Sequence, residues 1–195
     1  MADTAGFREL LANEFAAYGK LSVSQLDQLE AHYRLLRQWN ARMNLTRIRH
    51  LEDIVRLHYC ESLFLGTVLP GGPLSVADVG SGAGFPGIPL AIVRPECKIA
   101  LIESHHRKAV FLREASRTVS NVRVLSVRAE EVQESFDWAV SRAVKPDEIM
   151  RLGLASRIAL LIGREDADRL QGERVSIPWS QDRFIVIVPR GTASR

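Results

Sequence analysis

The sequence has little cysteine and no long apolar run. Its 195 residues include two cysteines, Cys60 and Cys97, which show neither a CxxC nor a Cys/His spacing of the kind that predicts a metal site. No apolar stretch approaches the roughly 20 residues that a membrane-spanning helix needs, and residues 1–11 lack the apolar segment of a signal peptide. We therefore expect reduced, buried thiols, no metal ion, no membrane contact and a cytoplasmic location.

Lysine is scarce as well, and arginine supplies most of the positive charge. Of 26 basic residues four are lysines, and the formal net charge is +3. Arginine favours forked contacts with phosphates and bases, which suits a nucleic-acid partner, although codon usage in a GC-rich genome gives the same bias. The length and a hydrophobic fraction of 46% are typical of one globular domain with a short extension.

The apolar spacing divides the chain into a helical segment and an alternating segment. Apolar residues three or four apart predict helices over 1–18, 24–43 and 51–65, with Ser24 as the cap of the second. After the linker 70–73, strands alternate with helices, which indicates a mostly parallel sheet wound on both faces, and the last two strands predict an antiparallel edge hairpin. We expect an α/β protein with a helical cap over residues 1–69 and a Rossmann-like core over residues 74–195. The predicted strands are 74–79, 98–102, 122–127, 136–141, 158–162, 174–177 and 184–188, and the predicted core helices are 88–93 and 106–118.

A glycine-rich turn between two apolar strands is the most specific feature of the chain. The strand Leu74–Val79 runs directly into Gly80-Ser81-Gly82-Ala83-Gly84, and Glu103 stands at the tip of the next strand. Glycines let the chain turn sharply and bring bare backbone against a ligand. An acid about 20 residues beyond such a turn is placed to accept both hydroxyls of a ribose. The pattern therefore predicts a nucleoside site.

Two classes of nucleoside fit this turn. Residues 82–87 match the dinucleotide fingerprint GxGxxG, which would indicate a nicotinamide or flavin enzyme. Asp78, expected at the mouth of the turn, would repel a pyrophosphate and suit a cationic ligand such as S-adenosylmethionine. With Gly80, Gly82 and Gly84 it forms a D-x-G-x-G-x-G motif that resembles motif I of Rossmann-like methyltransferases. A turn that only packs a helix on a strand is the third interpretation.

Two further loops are candidates for ligand contacts. Ala129 and Glu130 follow the third strand, where they would meet an adenine or simply begin a helix. Ser141-Arg142-Ala143 follows the fourth strand, where methyltransferases place the acceptor, and lacks both the Asn/Asp-Pro-Pro-aromatic motif and a nearby cysteine nucleophile. An acceptor that needs no base, such as guanine N7, remains. Arg142 would then bond guanine O6 or a phosphate, or form a structural ion pair.

Arginines crowd the region between residues 34 and 56, on the predicted cap. A nucleic-acid platform is the functional interpretation of this cluster, and a solvated face is the simpler one. Trp39 and Tyr59 lie at helical spacing, which favours packing over base stacking. The RNA-binding candidates are Asn44, Arg47, Arg49 and His58 on the cap, with Arg107 and Lys108 after Glu103.

The motifs LRQWNARMNLTRI, HYCESL, DVGSGAGFPGIPLAIVRPE, RKAVFL and SRA, in this order and spacing, resemble the bacterial 16S ribosomal RNA guanine-N7 methyltransferases, the family of glucose-inhibited division protein B. The resemblance covers roughly residues 30–145. It implies S-adenosylmethionine as methyl donor and an N7-methylguanosine in the decoding-region loop of the small subunit. Gly163-Arg164 departs from the Lys-Gly that the family usually shows, so no contact beyond residue 145 is assigned.

Residues and resemblance together predict a monomeric enzyme that acts on 16S ribosomal RNA or the small subunit. The rival interpretations are an RNA-binding module with a non-catalytic pocket and a nicotinamide-dependent oxidoreductase. Ser141 and Arg142 are the expected catalytic residues. The expected donor-binding residues are Asp78, Gly80, Ser81, Gly82, Gly84, Phe85, Glu103, Ala129, Glu130 and Arg142.

Overall fold

The computed structural model describes residues 6–142 and 144–189. Ala143 of the motif after the fourth strand lies outside the described residues, as do the first five residues of the predicted cap and the last six of the predicted core.

Seven strands of the described chain form one sheet in the order β3-β2-β1-β4-β5-β7-β6. The first five strands along the chain are parallel, and β7 runs antiparallel between β5 and β6. The predicted parallel sheet and its closing hairpin are confirmed. The strand order reverses between β1 and β4, and the crevice outside the carboxyl ends of such strands is where open α/β sheets bind ligands. The strands are β1 Ser75–Val79, β2 Lys98–Ile102, β3 Val122–Leu125, β4 Phe136–Ser141, β5 Ala155–Gly163, β6 Glu173–Ser176 and β7 Arg183–Pro189.

The helices depart from the sequence prediction at several ends. Ser22 caps the second helix instead of Ser24, because its hydroxyl accepts the Gln25 N–H and the Gln25 side chain accepts the Ser22 N–H. The third predicted helix is interrupted by a π-helical segment, Val55–Cys60, and ends three residues later than expected. The helices are α1 Phe7–Phe15, α2 Val23–Met43, α3 Leu51–Ile54, α4 Glu61–Val68, α5 Gly87–Val93, α6 His106–Ala115, α7 Pro146–Leu152 and α8 Arg164–Arg169.

One hydrophobic core joins the cap helices to the sheet. It contains Leu11, Tyr33 and Leu63 from the cap together with Ile88 and Leu101 from α5 and β2. Helices α2 and α4 contact α5, and α2 also contacts α6, so the cap packs on the two helices that follow β1 and β2. A second core on the other face includes residues of α7 and α8.

Both cysteines are buried thiols, as expected. Within residues 6–142 and 144–189, no helix combines the length and the apolar character needed to cross a membrane.

Candidate active site

Four of the predicted donor-binding residues line one cavity at the carboxyl edge of the sheet. Gly80 follows β1, Glu103 follows β2, and Ala129 with Glu130 forms a single 3-10 turn after β3. Val144, in the loop after β4, also lines the cavity. The cavity thus lies at the reversal of strand order, where the chain topology leads one to expect a ligand.

Glu103 is held rigidly at the rim of this cavity. Its side chain is largely buried, with the residue 7% exposed. One carboxylate oxygen accepts the Gly82 N–H at 3.0 Å, and the other accepts the His105 N–H at 2.8 Å. A carboxylate oxygen can accept more than one hydrogen bond, so both oxygens keep capacity for a further donor. The arrangement presents a fixed pair of acceptors of the kind that binds a ribose diol.

The missing side chains of Gly80 and Gly82 make room for different neighbours, Val144 beside Gly80 and open space beside Gly82. Gly80 has φ +73° and Gly82 has φ +53°, in the left-handed region. A Cβ on Gly80 would come within 2.6 Å of Val144 Cγ2. A Cβ on Gly82 would have its nearest neighbour, the Gly80 oxygen, at 3.7 Å, so this face of the turn is an open cradle beside Glu103. The cradle and the carboxylate fit the nucleoside part of S-adenosylmethionine.

Asp78 lies beneath the turn, not at its mouth. It is fully buried, and Oδ2 accepts the Gly87 N–H at 3.0 Å, at the start of α5. Oδ1 has no hydrogen-bond partner among the described atoms. Burial is the main reason that the pKa of Asp78 rises to about 7. The expected position at the mouth of the turn is therefore corrected: the carboxylate is buried beneath the turn and is not placed to repel a pyrophosphate.

Ser81 and Phe85 are also turned away from the cavity. The buried Ser81 hydroxyl donates to the Asp78 carbonyl at 2.9 Å, which tightens the turn. The Phe85 ring stacks on His58 with centroids 4.7 Å apart and meets His32 and Tyr59 edge-on at 5.1 and 5.0 Å. Both were expected to contact the donor; in the structure Ser81 shapes the turn, and Phe85 anchors it to the cap.

His32, which the sequence did not single out, binds the turn directly. It is buried, with Nδ1 2.7 Å from the Tyr59 hydroxyl and Nε2 3.0 Å from the Ala83 carbonyl. Because a carbonyl only accepts, Nε2 carries the proton and Nδ1 accepts from Tyr59. Burial lowers the pKa of His32 to about 4, so the ring is neutral at physiological pH. Its position on an apolar helix face gave no signal of this role.

On the acceptor side, Ser141 and Arg142 have different surroundings. The buried Ser141 hydroxyl donates to the Val79 carbonyl at 2.8 Å and ties β4 to β1. This bond gives Ser141 a structural role, and its catalytic role stays a prediction. Arg142 Nη1 contacts His58 Nδ1, and Arg142 Nε lies 3.9 Å from Glu61 Oε2. Burial lowers the pKa of Arg142 to about 10, which leaves it cationic at neutral pH.

His58 is enclosed between the cap and the core. Its exposed fraction is small, and Nε2 lies 2.7 Å from the Thr46 hydroxyl. Burial, followed by the charge of Arg142, holds the pKa of His58 well below its ordinary value. The neutral ring accepts from Arg142 through Nδ1 and donates to Thr46 through Nε2. Both ring nitrogens are bonded within the protein and Phe85 covers the ring, so the RNA contact expected of His58 stays a prediction that the described surroundings do not favour.

Glu61 and Arg183 belong to the same cluster and were not predicted. The buried Glu61 carboxylate accepts from Arg183 Nε at 2.7 Å and Nη2 at 2.9 Å. Burial raises the pKa of Glu61, against the opposing effect of Arg142 and Arg183. Arg183 begins β7, in register with Gly163 at the end of β5, which brings it to the carboxyl edge of the parallel strands. The two residues are 122 positions apart, and no local pattern links them.

The remaining RNA-binding candidates lie on the surface. Asn44 ends α2 with φ +49°, and Arg47 and Arg49 are exposed on the following loop. A cavity of about 550 Å³ is lined by this loop and the end of α2. Arg107 is exposed and Lys108 half-buried at the start of α6.

Comparisons of sequence identify the family. The family model GidB, described as rRNA small subunit methyltransferase G, matches residues 25–159. A protein named ribosomal RNA small subunit methyltransferase G from Roseiflexus sp. (strain RS-1) is 41% identical over 198 residues, covering 93% of this chain and 84% of that protein. Proteins of the same name from Rhodospirillum centenum and Acetivibrio thermocellus are 42% and 36% identical, covering 89% and 70% of this chain and 83% and 60% of theirs.

Comparisons of structure identify the fold. A SAM dependent methyltransferase from Aquifex aeolicus has a TM-score of 0.55 at 17% identity, covering 69% of this chain and 91% of that one. A methyltransferase from Pyrococcus furiosus has a TM-score of 0.54 at 14% identity, covering 85% and 98%. The fold is that of the Rossmann-like methyltransferases, and the chain belongs to the GidB family of rRNA small subunit methyltransferases G.

Proposed function

We propose that this protein transfers the methyl group of S-adenosylmethionine to N7 of a guanosine in 16S ribosomal RNA, in the decoding-region loop of the small subunit. The observation that carries the proposal is the fixed Glu103 carboxylate beside the open face of Gly82, in a chain of this family. When bound, the donor supplies a methyl group activated by its sulfonium.

The donor site is the cavity after β1, β2 and β3. Glu103 accepts the ribose hydroxyls with the capacity left on its two oxygens, and the bare backbone at Gly82 permits close approach. Ala129 and Glu130 line the far end of the cavity, where they meet the adenine ring. Asp78 binds the Gly87 N–H at the start of α5, and His32 binds the Ala83 carbonyl of the turn, so both hold the donor loop from its protein side.

The acceptor chemistry requires orientation more than proton transfer. Guanine N7 has a lone pair at neutral pH and loses no proton before attack, so alignment with the methyl group is the main requirement. The titratable groups beside Arg142 already form hydrogen bonds within the protein: His58 at both ring nitrogens and Glu61 at both carboxylate oxygens. Arg142 remains a cation that can orient the acceptor nucleotide.

RNA contact and donor binding fall largely on different segments of the chain. The cap, residues 1–69, contributes Asn44, Arg47 and Arg49 to the RNA surface, and the core, residues 74–195, holds the donor and adds Arg107 and Lys108. Phosphate contacts by such arginines position an RNA without reading its sequence. We propose that the protein acts as a monomer in the cytoplasm, without membrane contact.

Methyl transfer tests the proposal directly. Purified protein is incubated with S-adenosylmethionine labelled in the methyl group and with 16S ribosomal RNA, as a transcript and as small subunits that lack the modification. The expected product is N7-methylguanosine, detected by borohydride reduction and aniline cleavage. Glu103→Gln, which keeps the side-chain size and removes the charge, is the matched variant and should lose activity at low donor concentration.

Two outcomes would contradict the proposal. Label on adenine N6 or cytosine C5 would exclude N7 chemistry. RNA binding without transfer would favour a binding module with a non-catalytic pocket. A thermal-shift series with nicotinamide nucleotides tests the oxidoreductase, which the family membership does not support.

A further inference from the structure

Three charged side chains at the carboxyl edge of the sheet form a cluster with unequal charge. Arg142 and Arg183 both approach the carboxylate of Glu61, at 3.9 Å and 2.7 Å. Among residues 6–142 and 144–189, Glu61 is the one carboxylate within 4.0 Å of either guanidinium. Because His58 is neutral, the cluster carries two positive charges and one negative charge. One positive charge of the cluster is therefore not balanced by a carboxylate among the described residues.

The surplus charge lies on the outer side of the cluster. Glu61 is fully buried, whereas the side chains of Arg142 and Arg183 are 16% and 27% exposed. Glu61 bonds Arg183 with both oxygens and stands beyond hydrogen-bond distance from Arg142. A partly buried cation that is poorly compensated by protein favours an anion from outside, since desolvated charges need a close partner.

The cluster lies next to the proposed methyl-transfer site. Arg142 follows β4, and β4 is tied to the end of β1 by the bond from Ser141 to Val79. Arg183 reaches the same edge because β7 starts opposite Gly163, the last residue of β5. Both side chains are planar forks, which match the oxygens of a phosphate in a way that a point charge does not.

We infer that Arg142 and Arg183 together bind a backbone phosphate of the acceptor RNA, with Glu61 holding the Arg183 fork in place. This inference rests on the proposed function and adds a residue from the C-terminal hairpin to the RNA site. A carboxylate, such as that of the methionine part of the donor, has similar chemistry, and the experiment separates the two sources.

The test changes the charge of the cluster in two steps. Arg183→Gln leaves Glu61 with Arg142 as its counterion and brings the net charge to zero. It should weaken binding of a 16S ribosomal RNA transcript about tenfold or more and reduce the log–log salt slope by about 0.7, the contribution of one phosphate of single-stranded RNA. Adding Glu61→Gln restores one surplus positive charge, so the salt slope should return toward that of the wild type. Donor affinity should stay unchanged in both variants.

Arg174→Gln is the matched control. Arg174 lies on the neighbouring strand β6, is exposed and pairs with Asp168 at 2.8 Å, so its loss removes one positive charge away from the cluster. The control should keep the wild-type slope. An Arg183→Gln variant that melts like the wild type and binds RNA with unchanged slope and affinity would overturn the inference. Loss of donor affinity with unchanged RNA affinity would assign the cluster to the donor and overturn it as well.

Arginine footprinting on the unmodified protein covers the case in which a variant does not fold. Phenylglyoxal labelling of Arg183, read by mass spectrometry, should be suppressed by the 16S transcript and not by S-adenosylhomocysteine. Equal labelling with and without RNA, or protection by S-adenosylhomocysteine, contradicts the inference. A wild-type protein that methylates the RNA while Arg183 stays unprotected refutes this inference alone, whereas absence of methyl transfer refutes the proposed function.

Discussion

The buried Asp78 carboxylate predicts an unusual dependence of stability on pH. Its pKa is about 7 in the folded protein, against an ordinary value of 3.8 for an aspartate side chain. The folded state therefore holds this proton more tightly than the unfolded state, and its stability falls as pH rises from about 4 to about 7. A shift of roughly three units at 1.36 kcal/mol each corresponds to about 4 kcal/mol lost over this range.

Asp78→Asn removes this loss. Asparagine has the same size, keeps an acceptor for the Gly87 N–H and does not ionise. His32 contributes the opposite trend, because a pKa of about 4 against 6.5 means that stability rises with pH between those values. The two trends offset each other in the wild type. We expect the free energy of unfolding of the variant to show only the rise with pH. Between pH 4 and pH 8, its value relative to that of the wild type should increase by up to about 4 kcal/mol.

Urea denaturation at half-unit steps of pH measures this difference. The amide NH2 that replaces the unpartnered Oδ1 lowers the free energy of unfolding by about 1–3 kcal/mol. This cost does not depend on pH, so it cancels when the stability of the variant at one pH is compared with its stability at another. Asp137→Asn is the control. Asp137 is exposed, and the Ser75 backbone N–H lowers its pKa. The stability that this carboxylate contributes is therefore lost as pH falls in the acid range, which is the opposite of the trend for Asp78. Parallel stability curves for the wild type and Asp78→Asn would refute the reasoning.

Three further predictions concern donor binding, RNA binding and the cap. Glu103→Gln should weaken S-adenosylmethionine binding tenfold or more in calorimetry, and an unchanged dissociation constant would remove Glu103 from the site. Arg47→Ala combined with Arg49→Ala should flatten the salt dependence of RNA binding by about 0.7 for each lost phosphate contact without affecting the donor; an unaltered slope would make these arginines a solvated face. Tyr59→Phe should lower the free energy of unfolding by about 1–3 kcal/mol, because His32 Nδ1 loses its donor, and a neutral result in urea denaturation would show that water replaces the hydroxyl.

The parts of the fold that follow local rules could be predicted from the sequence. Apolar periodicity placed the strands within a few residues, and the glycine turn with Glu103 twenty-odd residues later marked the cavity that the structure shows. The C-terminal hairpin followed from two apolar strands around a turn with Pro178.

The rest depends on packing between distant segments. No property of Asp78 in the sequence distinguishes a carboxylate at the mouth of the turn from one beneath it, where the Gly87 N–H binds it. His58 lies in an arginine-rich stretch that suggested an exposed position, yet its ring is covered by Phe85 and Arg142. Glu61 and Arg183 meet only because β7 enters the sheet antiparallel beside β5, and a helix with a π-helical segment shifts the apolar face in a way that a regular period does not anticipate.

The Phe85 ring has a consequence for engineering. It projects from the end of the glycine turn into a box made by His32, His58 and Tyr59, all carried by the cap. A cap transplanted from another methyltransferase to redirect the enzyme to a new RNA would have to bring three rings of matching shape, or the turn would lose its anchor. A truncated chain starting near residue 70 would uncover the ring and the apolar side of α5, and would aggregate instead of yielding a minimal donor-binding protein. The cap is thus not an interchangeable module, because the glycine turn is folded around it.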